Sequence, residues 1–107
     1  MSVVSMMLHA ERAEAVELAA QIASYLSEAG HSVRLLDDDA QAINRAEFRS
    51  GQGDLAKGAD LAVSIGGDGT MLRTFELVAS FDVPVLGINV GHLGYLTEFE
   101  ADEAQNA

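Results

Sequence analysis

The segment Asp60-Leu-Ala-Val-Ser-Ile65 runs directly into Gly66-Gly67-Asp68-Gly69-Thr70. Its first part is a short apolar run, typical of a buried parallel strand. After the glycines the apolar residues return at helical spacing, at Leu72, Phe75 and Val78. A strand, a glycine turn and a helix start in this order direct backbone N–H groups and a helix N-terminus toward a phosphate or a ribose. We therefore predict a nucleotide-binding turn here.

Asp68 is the unusual member of this turn. A carboxylate inside a phosphate cradle repels the ligand unless a metal ion offsets its charge, or unless it binds a sugar hydroxyl instead. This makes Asp68 a candidate general base, while the backbone of Gly66, Gly67, Gly69 and Thr70 would form the phosphate loop. The alternative is a simple tight turn, since glycine and aspartate are common turn residues.

The rest of the chain predicts an α/β fold with a parallel, right-handed sheet. Polar residues dominate from Asp37 to Asp54, so we expect a loop there with at most one short helix, and a solvated position for Asp37, Asp38 and Asp39. Gly30 stands where a left-handed helix cap belongs. The predicted strands are Val3–Leu8, Val33–Leu36, Leu61–Ile65 and Val85–Ile88, and the predicted helices are Ala15–Ala29 and Thr70–Ser80.

Two common nucleotide-binding patterns are absent from the sequence. A dinucleotide-binding Rossmann domain carries its glycine fingerprint after the first strand, where this chain has Leu8-His9-Ala10-Glu11-Arg12. The sequence also has no Gly-x-x-x-x-Gly-Lys-Ser/Thr segment. A dinucleotide-binding Rossmann domain and a P-loop are therefore both rejected, because their phosphate contacts depend on those residues.

Composition narrows the choice of partners and compartment. The 107 residues, enough for one domain, carry 17 acidic and 6 basic side chains, for a formal charge of −11. Such a surface repels nucleic acid and anionic lipid, so we expect neither partner. The chain has no cysteine and no evident signal peptide, from which we expect a cytoplasmic protein. Its three histidines lack ligand spacing, and we predict no protein-held metal site.

A second motif, Leu86-Gly-Ile-Asn-Val-Gly-His-Leu-Gly-Tyr-Leu96, follows the first by about twenty residues. Together the two motifs resemble the N-terminal half of bacterial NAD kinases, in the NAD kinase and diacylglycerol kinase superfamily. The resemblance extends from the first strand through Glu98. It implies a Rossmann-like, phosphofructokinase-like domain over residues 1–100, and we expect residues 101–107 to fray.

The resemblance also implies an activity, the transfer of a phosphoryl group to the 2′-hydroxyl of the adenosine ribose of NAD. Asp68 would remove the hydroxyl proton, and Asp68, Gly69, Arg73, Asn89 and Tyr95 would contact NAD. The family's Mg²⁺ or another divalent cation would assist, with ATP or polyphosphate as the donor. Members of the family have a second, C-terminal domain and form homo-oligomers, so the 107 residues alone are expected to be inactive.

Two alternatives stay open on the sequence. The first is a lipid kinase of the diacylglycerol or sphingosine type, which shares the Gly-Gly-Asp-Gly motif but not the second motif. The other is a regulatory domain that binds a nucleotide without catalysis. The reaction of the full-length protein distinguishes all three.

Overall fold

A computed structural model describes residues 1–90; residues 91–107, with Tyr95 and the expected frayed tail, lie outside the described part. Within residues 1–90, four parallel strands form one sheet in the order β2-β1-β3-β4. The strands are β1 (Val3–Leu8), β2 (Ser32–Leu35), β3 (Leu61–Gly66) and β4 (Val85–Asn89). The α-helices are α1 (Ala13–Glu28), α2 (Asp37–Ala42) and α3 (Asp68–Val78). Two short 3₁₀ turns cover Ala46–Phe48 and Ala79–Phe81. The predicted α/β fold with a parallel sheet is confirmed.

The strand order determines where a ligand can bind. From β1 the chain first adds β2 on one side, and then returns to place β3 on the other side of β1. The connections after β1 and β3 therefore leave the sheet in opposite directions. In open α/β sheets the crevice at such a switch point, outside the carboxyl ends of the strands, is the usual binding site. Here it lies between the residues after Leu8 and those after Gly66.

The main core lies between the sheet and α1. Alternate residues of β1, namely Val4, Met6 and Leu8, point to this side and are 4% exposed or less. They pack with buried small and branched side chains of α1, which are Ala15, Leu18, Ala19 and Ala23. Burial of this apolar surface stabilises the fold by about 25 cal/mol per Å². The packing of this core therefore determines where the carboxyl end of β1 lies.

The end of α1 follows the predicted glycine cap. Gly30 has a φ of 94°, in the left-handed region that glycine adopts without steric cost. Its N–H donates to the Ser27 carbonyl, and the His31 N–H donates to the Leu26 carbonyl at 2.9 Å. These two bonds form a Schellman motif, which satisfies carbonyls that the helix leaves unpaired.

The apolar face predicted for α3 is wrong at Leu72 and Phe75 and confirmed at Val78. Leu72 and Phe75 are 61% and 48% exposed, whereas Thr70, Thr74 and Val78 form the buried stripe. Threonine can be buried here because the Thr74 hydroxyl donates to the Thr70 carbonyl at 2.7 Å, so its polar atom has a partner. The helix also begins earlier than predicted, at Asp68, and ends at Val78.

An apolar groove lies between α1 and the β3–β4 side of the sheet, away from the glycine turn. Its volume is about 340 Å³. Side chains of α1, including Leu18 and Ile22, line one wall, and Leu61, Val63 and Ile88 line the other. Among the described residues, no helix combines the length and apolar character that crossing a membrane requires.

Candidate functional site

The glycine turn joins β3 to α3 at the carboxyl edge of the sheet. β3 ends at Gly66, Gly67 is the extended residue before the helix, and Asp68 is the first helical residue. The first helical hydrogen bond runs from the Met71 N–H to the Gly67 carbonyl, at 3.0 Å. Asp68 is exposed and lies in the first turn, where the helix dipole favours a negative charge. The turn thus presents a carboxylate together with a helix N-terminus.

Two glycines of the turn have different surroundings. A β-carbon built on Gly66 would lie 2.6 Å from the Thr70 Oγ1 and 3.0 Å from the His9 Cβ. Gly66 is therefore enclosed by the first turn of α3 and by the segment after β1. A β-carbon built on Gly69 would have no heavy atom within 4 Å, so the surroundings of Gly69 are open. The backbone at Gly69 is accordingly accessible to a ligand.

The end of β4 lies next to this turn. Asn89 is the register partner of Gly66, and the Val90 N–H donates to the Gly66 carbonyl at 2.8 Å. The structure therefore brings the two sequence motifs together at one edge of the sheet. Asn89 is half-buried there. Tyr95, the other residue predicted from the second motif, falls outside the described residues.

Arg73 lies one helical turn beyond Gly69 on α3 and is exposed. Its positive charge acts on the carboxylate of Asp39, a residue far away in sequence. Asp39 lies on α2, which follows β2. The effect acts at a distance, since no hydrogen bond or ion pair joins Arg73 to Asp39 within the described residues.

The solvated position expected for Asp39 is wrong. Asp37 and Asp38 are exposed, but Asp39 is only 5% exposed, and its Oδ2 accepts the Leu8 N–H at 3.2 Å. The reason is that residues 37–42 form a helix, which turns the third aspartate toward the end of β1. Burial raises the pKa of Asp39, while the Leu8 N–H and the Arg73 charge lower it by less.

Sequence reasoning missed the burial of Asp39 beside the end of β1. The available signal was an acidic residue just after the second strand, the position from which a Rossmann domain contacts a ribose. Without the glycine fingerprint after the first strand, an acidic residue at this position does not by itself predict a contact to a ribose. The other feature near the turn that was not predicted is His9, whose Cβ borders Gly66.

Among residues 1–90, no group of three or more histidine, aspartate or glutamate side chains is arranged to hold a metal ion.

The fold and the site define a class of protein: a parallel α/β domain with a glycine turn, a carboxylate and an exposed arginine at its topological switch point. Residues 4–107 match the family model described as the ATP-NAD kinase N-terminal domain. The chain therefore belongs to the NAD kinase family. Family and architecture agree with the resemblance drawn from the two motifs.

Individual relatives support the same assignment. The chain is 38% identical to an NAD kinase of Corynebacterium efficiens over 98% of its length, and 39% identical to one of Nocardia farcinica over 92%. It spans 35% and 36% of those proteins, about a third of their length. The crystal structure of yeast NADH kinase complexed with NADH superposes with a TM-score of 0.80 and 24% identity, covering 99% of this chain and 36% of that one. At this identity the likeness concerns the fold.

Proposed function

We propose that this chain is the N-terminal domain of an enzyme that phosphorylates the 2′-hydroxyl of the adenosine ribose of NAD, giving NADP. One observation carries the proposal: Asp68 stands exposed at the first position of α3, two residues after Gly66, the register partner of Asn89, at the switch point of the sheet. Membership of the NAD kinase family supplies the reaction to which this geometry fits.

In the proposed step, the 2′-oxygen of NAD forms a bond to the terminal phosphorus of the donor. The bond between that phosphorus and the bridging oxygen breaks, and the shortened donor leaves. The hydroxyl proton passes to the Asp68 carboxylate as the new bond forms. A positioned base of this kind contributes on the order of 10²- to 10⁴-fold in rate. Its exposed position on a helix start makes Asp68 accessible to a ribose.

The remaining site residues would bind and orient NAD. The open backbone at Gly69 allows close approach of the ribose, and the Arg73 guanidinium can donate two parallel hydrogen bonds to a diphosphate. Asn89 would contribute an amide from the neighbouring strand, and Tyr95 an aromatic surface. The backbone of Gly66, Gly67, Gly69 and Thr70 would cradle a phosphate. In a protein with a charge of −11, these local contacts must supply the attraction for an anionic ligand.

We propose ATP as the phosphate donor, because the description of the matched family names ATP. Polyphosphate is the alternative donor. A divalent cation, with Mg²⁺ the natural choice, would neutralise charge on the transferred phosphoryl group when bound with the donor. The enzyme would act in the cytoplasm, as the cysteine-free composition suggests. A homo-oligomer is proposed from family membership.

The proposal assigns different contacts with the substrates to two domains. Residues 1–100 would form the nucleotide-binding unit, and a second domain would supply the remaining contacts to the donor and to NAD. The relatives are about three times as long as this chain, which leaves room for such a domain. We therefore expect the 107 residues alone to fold and to form no NADP.

The test is an assay of the full-length enzyme with NAD, Mg²⁺ and either ATP or polyphosphate, with NADP formation as the readout. Diacylglycerol and sphingosine serve as competing acceptors in parallel reactions. NADP formation supports the proposal. Lipid phosphorylation without NADP would replace it by a lipid kinase, and neither product would point to a non-catalytic regulatory domain. The 107-residue chain, assayed beside it, should show no NADP above an Asp68→Ala control.

A further inference from the structure

The arginine side chains divide into two groups by their contacts. Three of the five arginines donate hydrogen bonds to carbonyl or carboxylate oxygens, namely Arg34, Arg45 and Arg49. Arg12 and Arg73 make no such contact within residues 1–90, and both are exposed. Arg12 follows β1, and Arg73 lies on the helix that follows β3. The two arginines that no described residue engages therefore stand on the two sides of the switch-point crevice.

The segment after β1 is held against the glycine turn by its backbone. The His9 N–H donates to the Ile65 carbonyl at 2.9 Å, and the His9 carbonyl accepts the Arg12 N–H at 3.0 Å. The His9 Cβ lies 3.0 Å from the position of a β-carbon built on Gly66. His9 is half-buried, and its imidazole makes no hydrogen bond to the described residues. His9 and Arg12 thus stand beside the glycine turn with side-chain donors that no described residue accepts.

We propose that His9 and Arg12 bind the phosphate chain of the donor, on the β1 side of the switch-point crevice. This assignment rests on the proposed function, because it names a contact site for the second substrate of that reaction. Arginine presents several N–H donors in a fixed plane, and histidine offers a ring N–H, so both suit phosphate oxygens. The ligand is a linear chain of phosphates, which ATP and polyphosphate share.

The geometry of the reaction favours this side for the donor. The residues proposed to contact NAD, which are Asp68, Gly69, Arg73 and Asn89, follow β3 or end β4. In phosphoryl transfer the attacking oxygen, the phosphorus and the leaving oxygen lie roughly in line. With the ribose against Asp68, the rest of the donor extends away from the ribose. Within residues 1–90, the other side of the crevice is formed by the segment after β1.

The charge of the chain makes local donors necessary for a phosphate chain. A protein with a charge of −11 repels a polyanion, so binding depends on cationic groups at the site itself. Glu11, exposed between His9 and Arg12, adds to this repulsion. Glu11→Gln should therefore leave the KM for the donor unchanged or lower it. Loss of the Arg12 charge in the same turn should have the opposite effect.

The test measures the KM values for the donor and for NAD in the full-length enzyme. Arg12→Gln should raise the KM for the donor about 10- to 100-fold, as expected for a lost hydrogen bond between charged groups. His9→Ala keeps the Cβ beside Gly66 and should raise it about 3- to 10-fold. The KM for NAD should stay within about 2-fold of wild type in both variants, because the NAD contacts are intact.

Lys57→Gln is the matched control for charge. Lys57 is exposed and precedes the amino end of β3, so it lies away from the crevice. Its loss should change the KM for the donor by less than about 2-fold, since salt screens distant surface charges. Arg12→Gln should melt at the wild-type temperature, because the exposed Arg12 side chain makes no contact that stabilises the fold. An equal rise of the KM in Lys57→Gln would mean that only the overall charge matters, and would overturn the proposed site.

Inorganic tripolyphosphate separates the phosphate chain from the nucleoside of ATP. It should compete with the donor in the wild-type enzyme, and Arg12→Gln should raise its inhibition constant by the same factor as the KM for the donor. An unchanged inhibition constant beside a raised KM for ATP would mean that Arg12 contacts the nucleoside, and would overturn the phosphate site. A normal KM for the donor in folded Arg12→Gln, with NADP still formed, would refute this site alone. A wild-type enzyme that forms no NADP would refute the proposed function itself.

Discussion

A β-carbon on Gly66 would lie 2.6 Å from the Oγ1 of Thr70, closer than a side-chain contact allows. Gly66 is the last residue of β3, and Thr70 belongs to the buried stripe of α3. The helix can pack this closely onto the strand end only because the strand ends in a glycine. The first glycine of the motif therefore serves the packing of the turn.

Gly66→Ala should destabilise the isolated chain by about 1–3 kcal/mol, the usual cost of overpacking a buried site. Gly69→Ala is the matched control. It lies in the same turn with open surroundings, and alanine is the better helix former, so stability should be unchanged or slightly higher. Chemical denaturation of both variants measures the difference. Equal stabilities would show that the turn relaxes around a methyl group at position 66.

Asp68→Asn should lower the turnover of the full-length enzyme by roughly two to four decades while NAD still binds. Asparagine keeps the size of the side chain but cannot accept the proton. Glu76→Gln, which removes an exposed charge from the same helix, should leave turnover near wild type. Kinetics and thermal melting are measured on the same preparations. Near-normal turnover in folded Asp68→Asn would leave Asp68 as a ribose-binding or turn-forming residue.

Asp39 should make stability depend on pH in a definite direction. Burial raises its pKa above the ordinary value of 3.8, so ionisation costs the folded state free energy once the pH exceeds the raised pKa. That cost disappears as the pH falls through the raised pKa toward 3.8. Asp39→Asn should thus be at least as stable as wild type at pH 7, and any advantage should shrink with acidification. Melting temperatures from pH 4 to 7 check this, and a constant advantage would contradict it.

The exposed side of α3 should tolerate truncation. Leu72→Ala should change the stability of the isolated chain by no more than about 0.5 kcal/mol, because Leu72 is 61% exposed. Leu8→Ala, the same change at a fully buried site of β1, should cost about 2–5 kcal/mol. Denaturant titrations of the two variants provide the comparison. A large loss of stability in Leu72→Ala would mean that Leu72 is packed in the core, as helical spacing predicts.

The sequence by itself determined the elements that depend on local pattern. Apolar runs bounded by polar residues located the strands to within about one residue, and Gly30 marked the end of α1 because only its left-handed conformation closes the cap. The two glycine motifs predict a site at one edge of the sheet, since parallel strands place their carboxyl ends together. The register of Gly66 with Asn89 shows that the two motifs meet at that edge, and the roles of their residues stay predictions.

Tertiary packing decided which side chains of those elements are buried. Helical spacing placed Leu72 and Phe75 inside, but close contact with the strand end favours the small Thr70 and Thr74. Tertiary packing also decided which of the aspartates Asp37, Asp38 and Asp39 is buried, although the sequence predicts that all three are solvated. Only the position of α2 beside β1 directs Asp39 inward, where the Leu8 N–H supplies a hydrogen bond. Burial depends on contacts between residues distant in the chain, and local sequence pattern does not contain them.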